Sequence, residues 1–325
     1  MDTFHHKDKS EPTINKDIKI AVINGGDSAE AEVSRVSAQG VIKALEANYK
    51  QVLNVELDQN ITSQLSQFSP DVVFPVLHGP PGEDGTLQGF LEILGYRYVG
   101  SDVHSSSAAM DKVLAKLIFR EANLPLAKQV VIARQDDPAS SVGKIVSELG
   151  SYVVVKPVSQ GSAVGVTLVN NQNELEKALT LAATLDDYLL VEERIEGKEI
   201  TVGIIDTDDG PAAFPVIDIV TAEDAWYDFE HRYTKGLSEH IIPADLSKEQ
   251  TRRLQQIAIE AHVCLGCRDL SRADFIVPDS EHEILLEVNT LPGMTPTSLY
   301  PDGALTYGLD FEALVSCLVE RAALR

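Results

Sequence analysis

Along most of this chain, short apolar runs alternate with stretches whose apolar residues recur every three or four positions, the pattern of α/β architecture. Ile18–Ile23 (IKIAVI) reads as a buried strand and Asn24-Gly25-Gly26-Asp27 as a turn. Val33, Val36, Val41, Ala44 and Leu45 then form the apolar face of a helix behind Ser28 and Glu30. Asp71–Leu77 (DVVFPVL) is a second strand of the parallel type. The turn HGPPGEDG follows at 78–85, and Thr86 is expected to cap a helix from Leu87 to Gly95. Together these predict a doubly wound N-terminal domain. One helix is expected from Ser105 to about Asn123, followed by strands Lys128–Ala133, Tyr152–Lys156, Val166–Val169 and Leu189–Ile195 around a helix Asn173–Leu185. A last block holds the runs Glu199–Asp206 and Phe214–Val220, a long helix Lys248–Gly266, strands Ala273–Val277 and Ile284–Val288, and a closing helix from Phe311. The expected domain seams fall near residues 110 and 205, and no internal repeat is visible.

Composition narrows the classes. A chain of 325 residues with 44% apolar content divides into two or three domains and buries a sizeable core. With 27 Lys plus Arg against 50 Asp plus Glu, the net charge of −23 repels a phosphate backbone. No nucleic acid and no membrane is therefore expected as a partner, and small or cationic partners are. The segment 1–18 (MDTFHHKDKSEPTINKDI) is a polar tail without the apolar core of a signal peptide, and His5 and His6 in it carry no assigned role. No apolar run approaches the roughly 18 residues of a membrane helix. Cys264, Cys267 and Cys317 are too few for a disulfide framework, which makes the cytoplasm the expected compartment. Cys264-x-x-Cys267 lacks a second Cys or His pair and reads as a buried helix end, not a zinc site.

Candidate chemistry concentrates in two places. Ser271-Arg272-Ala273-Asp274 is followed by Glu287-Val288-Asn289. On adjacent strands with period-two alternation, Glu287 and Asn289 share a face on which Asp274 can meet them. Two carboxylates and an amide oxygen suit Mg²⁺ bridging nucleotide phosphates, since Mg²⁺ takes a few protein oxygens and completes its shell with phosphate and water. The second place is Lys156-Pro157-Val158-Ser159-Gln160-Gly161-Ser162-Ala163-Val164-Gly165, a strand end leading into a small-residue loop. Its backbone N–H groups can cradle phosphates while the lysine supplies charge. The loop does not fit G-x-x-x-x-G-K-[ST], and Gly25-Gly26 lacks the G-x-G-x-x-G spacing.

Six segments, in one order, resemble the D-alanine:D-alanine ligases: Asn24–Ser34 (NGGDSAEAEVS), His78–Gly85, Met110-Asp111-Lys112, the Lys156 loop, Ser271–Asp274 and Leu286–Thr295 (LEVNTLPGMT). The resemblance spans about residues 18–322 and implies a two-domain ATP-grasp fold behind the N-terminal domain. The chain then divides into a tail 1–18, an N-terminal α/β substrate domain 19–110, a central ATP-grasp subdomain 111–205 and a C-terminal ATP-grasp catalytic domain 206–325. It also implies joining of two D-alanines for peptidoglycan precursor synthesis: ATP phosphorylates the first carboxylate, and the second amine attacks the acyl phosphate.

By this resemblance Lys112 and Lys156 contact the ATP phosphates, while Glu192, Glu193, Ile195 and Glu199 line the adenosine pocket, with Glu199 on the ribose. Asp274, Glu287 and Asn289 hold magnesium, two ions being expected and Mn²⁺ an alternative. Arg272 and the Gly293 N–H hold the oxyanion of the tetrahedral intermediate. Glu30 receives the ammonium of the first D-alanine near His78, and Ser298 and Leu299 receive the second. In the loop Tyr227–Gly236, Arg232 reaches the transferring phosphate where the family carries lysine, and Tyr233 bonds to Ser162, which couples to Glu30. A homodimer through the N-terminal domain is implied as well. The rival readings are a ligase making D-alanyl-D-lactate or D-alanyl-D-serine, which His240 in the same loop keeps open, and a non-catalytic ATP-binding relative.

Overall fold

A computed structural model describes residues 15–28, 30–221, 236–278, 282–296 and 298–325. Arg232 and Tyr233 lie outside the described residues.

Strands β1 (Lys19–Asn24), β2 (Gln51–Glu56), β3 (Val72–Pro75) and β4 (Arg97–Tyr98) pair in parallel in the order β2-β1-β3-β4. Ile20 and Val22 face Val41 and Leu45 of helix α1 (Ala31–Glu46). Ala21 and Ile23 face the opposite way, onto Leu65 of α2 (Ile61–Phe68) and Leu91 of α3 (Thr86–Leu94). Both faces are covered, which is why β1 is apolar at successive positions. β2 and α2 escape the sequence pattern because β2 is an edge strand on which Val55 alone is fully buried. Thr86 is not the cap it was expected to be. Gly85, at φ 92°, precedes the helix, and the Asp84 carboxylate accepts the Thr86 N–H at 2.9 Å.

The single helix expected over 105–123 is two, α4 (Val103–Met110) and α5 (Lys112–Glu121). Between them Asp111 is extended (φ −79°, ψ 100°), and its Oδ1 accepts the N–H groups of Val113 and Leu114 at 2.9 Å each. A short acceptor side chain in extended backbone caps a helix better than it continues one. The break places Lys112 at the start of α5.

The second sheet, antiparallel, runs β5-β8-β6-β7, from β5 (Gln129–Ala133), β6 (Val153–Pro157), β7 (Thr167–Val169) and β8 (Tyr188–Glu193). Helices α6 (Pro138–Leu149) and α7 (Gln172–Ala182) close its core. The sequence pattern did not reveal α6, although Asp137 caps it through the Ser140 N–H and Pro138 opens it.

The third sheet is also antiparallel: β9 (Lys198–Thr207), β10 (Gly210–Ala213), β11 (Ile217–Thr221), β12 (Ser238–Ile241), β13 (Leu270–Val277) and β14 (Ile284–Asn289), ordered β12-β11-β9-β13-β14 with β10 on β9. The seam expected at 205 therefore cuts a continuous strand, since Ile205 pairs with Leu270 in mid-sheet. Helix α8 (Lys248–Cys264), opened by a capping box at Ser247, shares one core with this sheet and with Ala115 and Phe119 of α5. Cys264 ends α8 with Cys267 buried beyond it, both free thiols, as the helix-end reading expects. Two last helices, α9 (Leu299–Tyr307) and α10 (Phe311–Ala323), follow, and Leu314, Val315 and Leu318 of α10 join Ile20 and Phe74 in the core of the first sheet. A doubly wound parallel sheet thus precedes the two antiparallel sheets of an ATP-grasp fold. No helix among the described residues is long and apolar enough to cross a membrane.

Candidate active site

In the order β2-β1-β3-β4 the connections leave β1 and β3 toward opposite sides, so a crevice opens at the C-terminal ends of these neighbours. Glu30 follows β1 and His78 follows β3, and both are more than nine-tenths buried. Ser34 ties the two loops, accepting the Gly25 N–H at 2.9 Å and donating to the Val76 carbonyl at 2.8 Å. Gly25 has φ 78°, and a Cβ there would lie 1.9 Å from Glu56 Oε1, so this turn requires glycine. Burial pulls the His78 imidazole below its ordinary value and Arg272 adds to this, while Glu30 opposes it. The ring is neutral near pH 7.

Glu83, in the same turn as His78, accepts the Gly79 N–H at 2.6 Å. Burial pushes its carboxyl up to about 8 against that hydrogen bond, with Glu30 and Glu287 raising it further and Arg272 lowering it. The folded ligand-free protein thus holds a proton that the unfolded chain releases near its ordinary value. Stability from this group is present at low pH and is lost as pH rises toward about 8. Glu83→Gln is therefore expected to raise Tm relative to the parent at about pH 8 and much less at about pH 5. A pH-independent difference in melting curves would remove this assignment.

On the third sheet Arg272 pairs with Asn289 and Asp274 with Glu287 across β13 and β14, which puts all four side chains on one face. Arg272 forks onto Asp274, with Nε to Oδ1 and a terminal nitrogen to Oδ2 both at 2.8 Å. Thr201 donates to the same carboxylate at 2.6 Å and the Asn289 amide nitrogen at 3.0 Å. Two carboxylates and an amide oxygen meet the donor chemistry of a hard divalent cation, with phosphate and water completing its shell. Among the described residues no group of three His, Cys, Asp or Glu side chains gathers as a metal site, and here the third donor is the Asn289 amide.

The Lys156 loop turns sharply. Ser162 and Ala163 have φ 47° and 59°, a region that costs non-glycine residues about 1–3 kcal/mol and is found at functional sites. Asp186 anchors the loop base by accepting the Ser159 N–H at 2.7 Å and its hydroxyl at 2.6 Å. In this conformation the Ser162 hydroxyl donates to Glu30, joining the loop to the first sheet. Lys112 Nζ donates to the Gln160 carbonyl at 2.6 Å and lies 3.8 Å from Glu287. Lys156 Nζ lies 2.7 Å from Glu192 Oε2, and Lys116 Nζ lies 2.6 Å from Glu192 Oε1.

Two cavities meet here. One, of about 90 Å³, is lined by Glu30, His78, Arg272, Gly293, Ser298 and Leu299 among others. The other, of about 380 Å³, is lined by Lys156, Glu192, Glu193, Ile195 and Glu199, with Val154, Leu168 and Leu286 as apolar walls. Lys112, Gly161 and Glu287 border both. A Cβ on Gly293 would sit 2.8 Å from Ser298 Oγ and 3.8 Å from the His78 ring, so only glycine keeps that corner open. Ser298 Oγ also accepts the Thr295 N–H at 3.0 Å. Glu192 lines the larger cavity with its carboxylate committed to two lysines, whereas Glu193 accepts the Lys128 N–H at 3.1 Å.

The structure thus gathers every described site residue expected from sequence around two adjoining cavities, with Asp274 behind Arg272. His240 is corrected. It lies on β12, outside the lining of both cavities, with Nδ1 2.7 Å from the Asp302 carboxylate of α9. Sequence reasoning assigned nothing to Glu83 or Lys116. The available signals were the place of Glu83 in HGPPGEDG and the four-residue spacing of Lys116 from Lys112 on one helix face.

The sequence model described as D-ala D-ala ligase C-terminus matches residues 118–320, and the one described as D-ala D-ala ligase N-terminus matches 54–101. A D-alanine--D-alanine ligase of Halalkalibacterium halodurans is 42% identical over 93% of this chain and 98% of its own length. Among solved structures, the D-alanine--D-alanine ligase of Bacillus anthracis complexed with ATP superposes with a TM-score of 0.80 at 30% identity, covering 95% of this chain and 98% of that one. The VanG D-Ala:D-Ser ligase of Enterococcus faecalis also gives 0.80 at 30% identity, over 94% and 99%. On matched segments, full-length identity and superposed fold alike, the chain belongs to the D-alanine--D-alanine ligase family.

Proposed function

We propose that this protein joins two D-alanines to D-alanyl-D-alanine at the expense of ATP, through an acyl phosphate, for peptidoglycan precursor synthesis. The observation that carries this reading is the junction of the two cavities at Lys112, Gly161 and Glu287. An apolar-walled cavity with a lysine at its phosphate end takes the nucleotide. A small polar cavity, with a buried carboxylate and an arginine, takes the amino acids. The γ-phosphate then sits at the shared border.

In the first step a carboxylate oxygen of the first D-alanine attacks the γ-phosphorus and the bond to ADP breaks. Glu30 holds the ammonium of that substrate beside neutral His78, and Lys112 and Lys156 hold the phosphates. Asp274, Glu287 and Asn289 hold Mg²⁺, which when bound neutralises triphosphate charge. In the second step the free amine of the second D-alanine, its carboxylate held at Ser298 and Leu299 by the N-terminus of α9, attacks the acyl carbon. Arg272 and the Gly293 N–H stabilise the oxyanion that forms, and phosphate leaves as the amide closes, carrying away the proton that the amine gives up. Ser162, bonded to Glu30, keeps the phosphate loop registered to the amino-acid cavity. By the family resemblance Arg232 acts on the transferring phosphate and Tyr233 on Ser162, and the enzyme works in the cytoplasm as a homodimer joined through its N-terminal domain.

An ADP-release assay across D-alanine, D-serine, D-lactate and the L-isomers tests the reading, with D-alanine alone expected to give the fastest Mg²⁺-dependent release. Faster turnover with D-lactate at neutral pH would replace it by the ester-forming reaction. ATP binding without D-alanine-dependent ADP formation would replace it by a non-catalytic module. Turnover that survives chelation, or a single-chain mass in light scattering, would remove the metal or the dimer respectively. The likeness to a D-Ala:D-Ser ligase keeps D-serine in the comparison.

A further inference from the structure

Lys116 stands one turn after Lys112 on α5, between core residues Ala115 and Phe119, with 1% of its side chain exposed. Lysines normally run their stems along apolar surface and keep the ammonium in water. This one cannot. Its Nζ lies 2.6 Å from Glu192 Oε1, and Lys156 Nζ lies 2.7 Å from Glu192 Oε2. Glu192 is itself buried on β8, one strand from Lys156 on β6. Of the two lysines, Lys156 borders the larger cavity and Lys116 does not.

We propose that Lys116 is a positioning residue of the nucleotide site: by neutralising Glu192 from behind, it leaves the charge of Lys156 available to the phosphates. This rests on the reading of the larger cavity as the ATP site. A carboxylate between two ammonium groups leaves one net positive charge, and the ammonium that borders the cavity presents it to a ligand. Without Lys116, Glu192 and Lys156 form a neutral buried pair. In a low-dielectric site that attraction opposes the attraction of Lys156 for phosphate. The titration behaviour agrees. Burial acts to raise Glu192, yet Lys156 and Lys116 overcome it and bring the carboxyl to about 2. Burial acts to lower Lys156, and Glu192 reverses this and raises it. Lys116 is lowered by burial, with the Glu192 carboxylate acting against that and Lys156 adding to it.

The test is calorimetric binding of ADP and of adenosine to the full-length protein. Lys116→Met is expected to weaken ADP by about tenfold or more while adenosine, which carries no phosphate, stays within about twofold. In the double variant Lys116→Met/Glu192→Gln, the carboxylate that would capture Lys156 is gone. Because Glu192 itself lines the cavity, the readout there is the ratio of ADP to adenosine affinity, which should return to within about threefold of the parent. This second variant restores the parent's single net positive charge at Lys156, so it carries the test should the single variant fail to fold. Equal weakening of ADP and adenosine, unchanged ADP binding in Lys116→Met, or a ratio of ADP to adenosine affinity that stays lowered in the double variant would each overturn the proposal. A parent protein that binds neither ligand would instead overturn the assignment of the cavity, and this inference with it.

Discussion

Arg272→Ala lowers kcat for dipeptide formation by about 10²–10³-fold, the usual cost of removing one preorganised donor to an oxyanion. The side chain is largely buried in the lining of the smaller cavity, and its double hydrogen bond to Asp274 fixes the guanidinium plane before substrate arrives. That preorganisation is what makes the donor effective, because little reorganisation remains at the moment charge develops. The loss also strips the Asp274 carboxylate of its cationic partner, leaving Thr201 and Asn289 among its donors. Arg272→Lys keeps the charge and loses the fork, so its rate falls between the two. Steady-state kinetics at saturating ATP and D-alanine check this, and an Arg272→Ala enzyme turning over at the parental rate would remove the oxyanion role.

Glu30→Gln lowers kcat/KM for D-alanine by about 10²-fold while leaving the KM for ATP nearly unchanged. A hydrogen bond between charged groups contributes about 1.5–3 kcal/mol, and its loss in a buried setting leaves the substrate ammonium without its counter-charge. The split follows from position, since Glu30 borders the smaller cavity alone. Titrating each substrate against saturating amounts of the other separates the two constants. An unchanged kcat/KM for D-alanine would show that Glu30 does not hold the ammonium.

How far the sequence disclosed this molecule depended on whether a local pattern or a distant contact decided each residue's surroundings. β1 and β3 were legible because parallel strands covered on both faces are apolar throughout. The β13/β14 arrangement was legible because period-two alternation alone places Asp274, Glu287 and Asn289 together. The break at Asp111 was hidden because apolar residues continue at helical spacing through it, and the cap is a single side chain. Glu192 stands in VEERIEGKE, where adjacent acids read as a solvated run. The strand alternates, so Glu192 turns inward onto two lysines while Glu193 reaches the Lys128 backbone. Lys116 was illegible for the same reason: a lysine on an amphipathic helix reads as surface until sheet and helix close over it. The seam at 205 failed because β9 carries no turn signal there; it passes through the middle of a sheet.

The packing of α10 against the first sheet bears on how the protein is made. The strands that carry the Glu30 and His78 loops emerge from the ribosome long before Leu314, Val315 and Leu318, which help cover the face formed by Ile20, Val22 and Phe74. Until then that apolar face stays partly uncovered. Contacts this distant along the chain also add loop-closure cost and slow the approach to the native state. The smaller cavity, whose walls run from Glu30 to Leu299, is thus assembled only after Leu299 has emerged, and until α10 follows a nascent chain carries an aggregation-prone sheet face that chaperones are suited to shield.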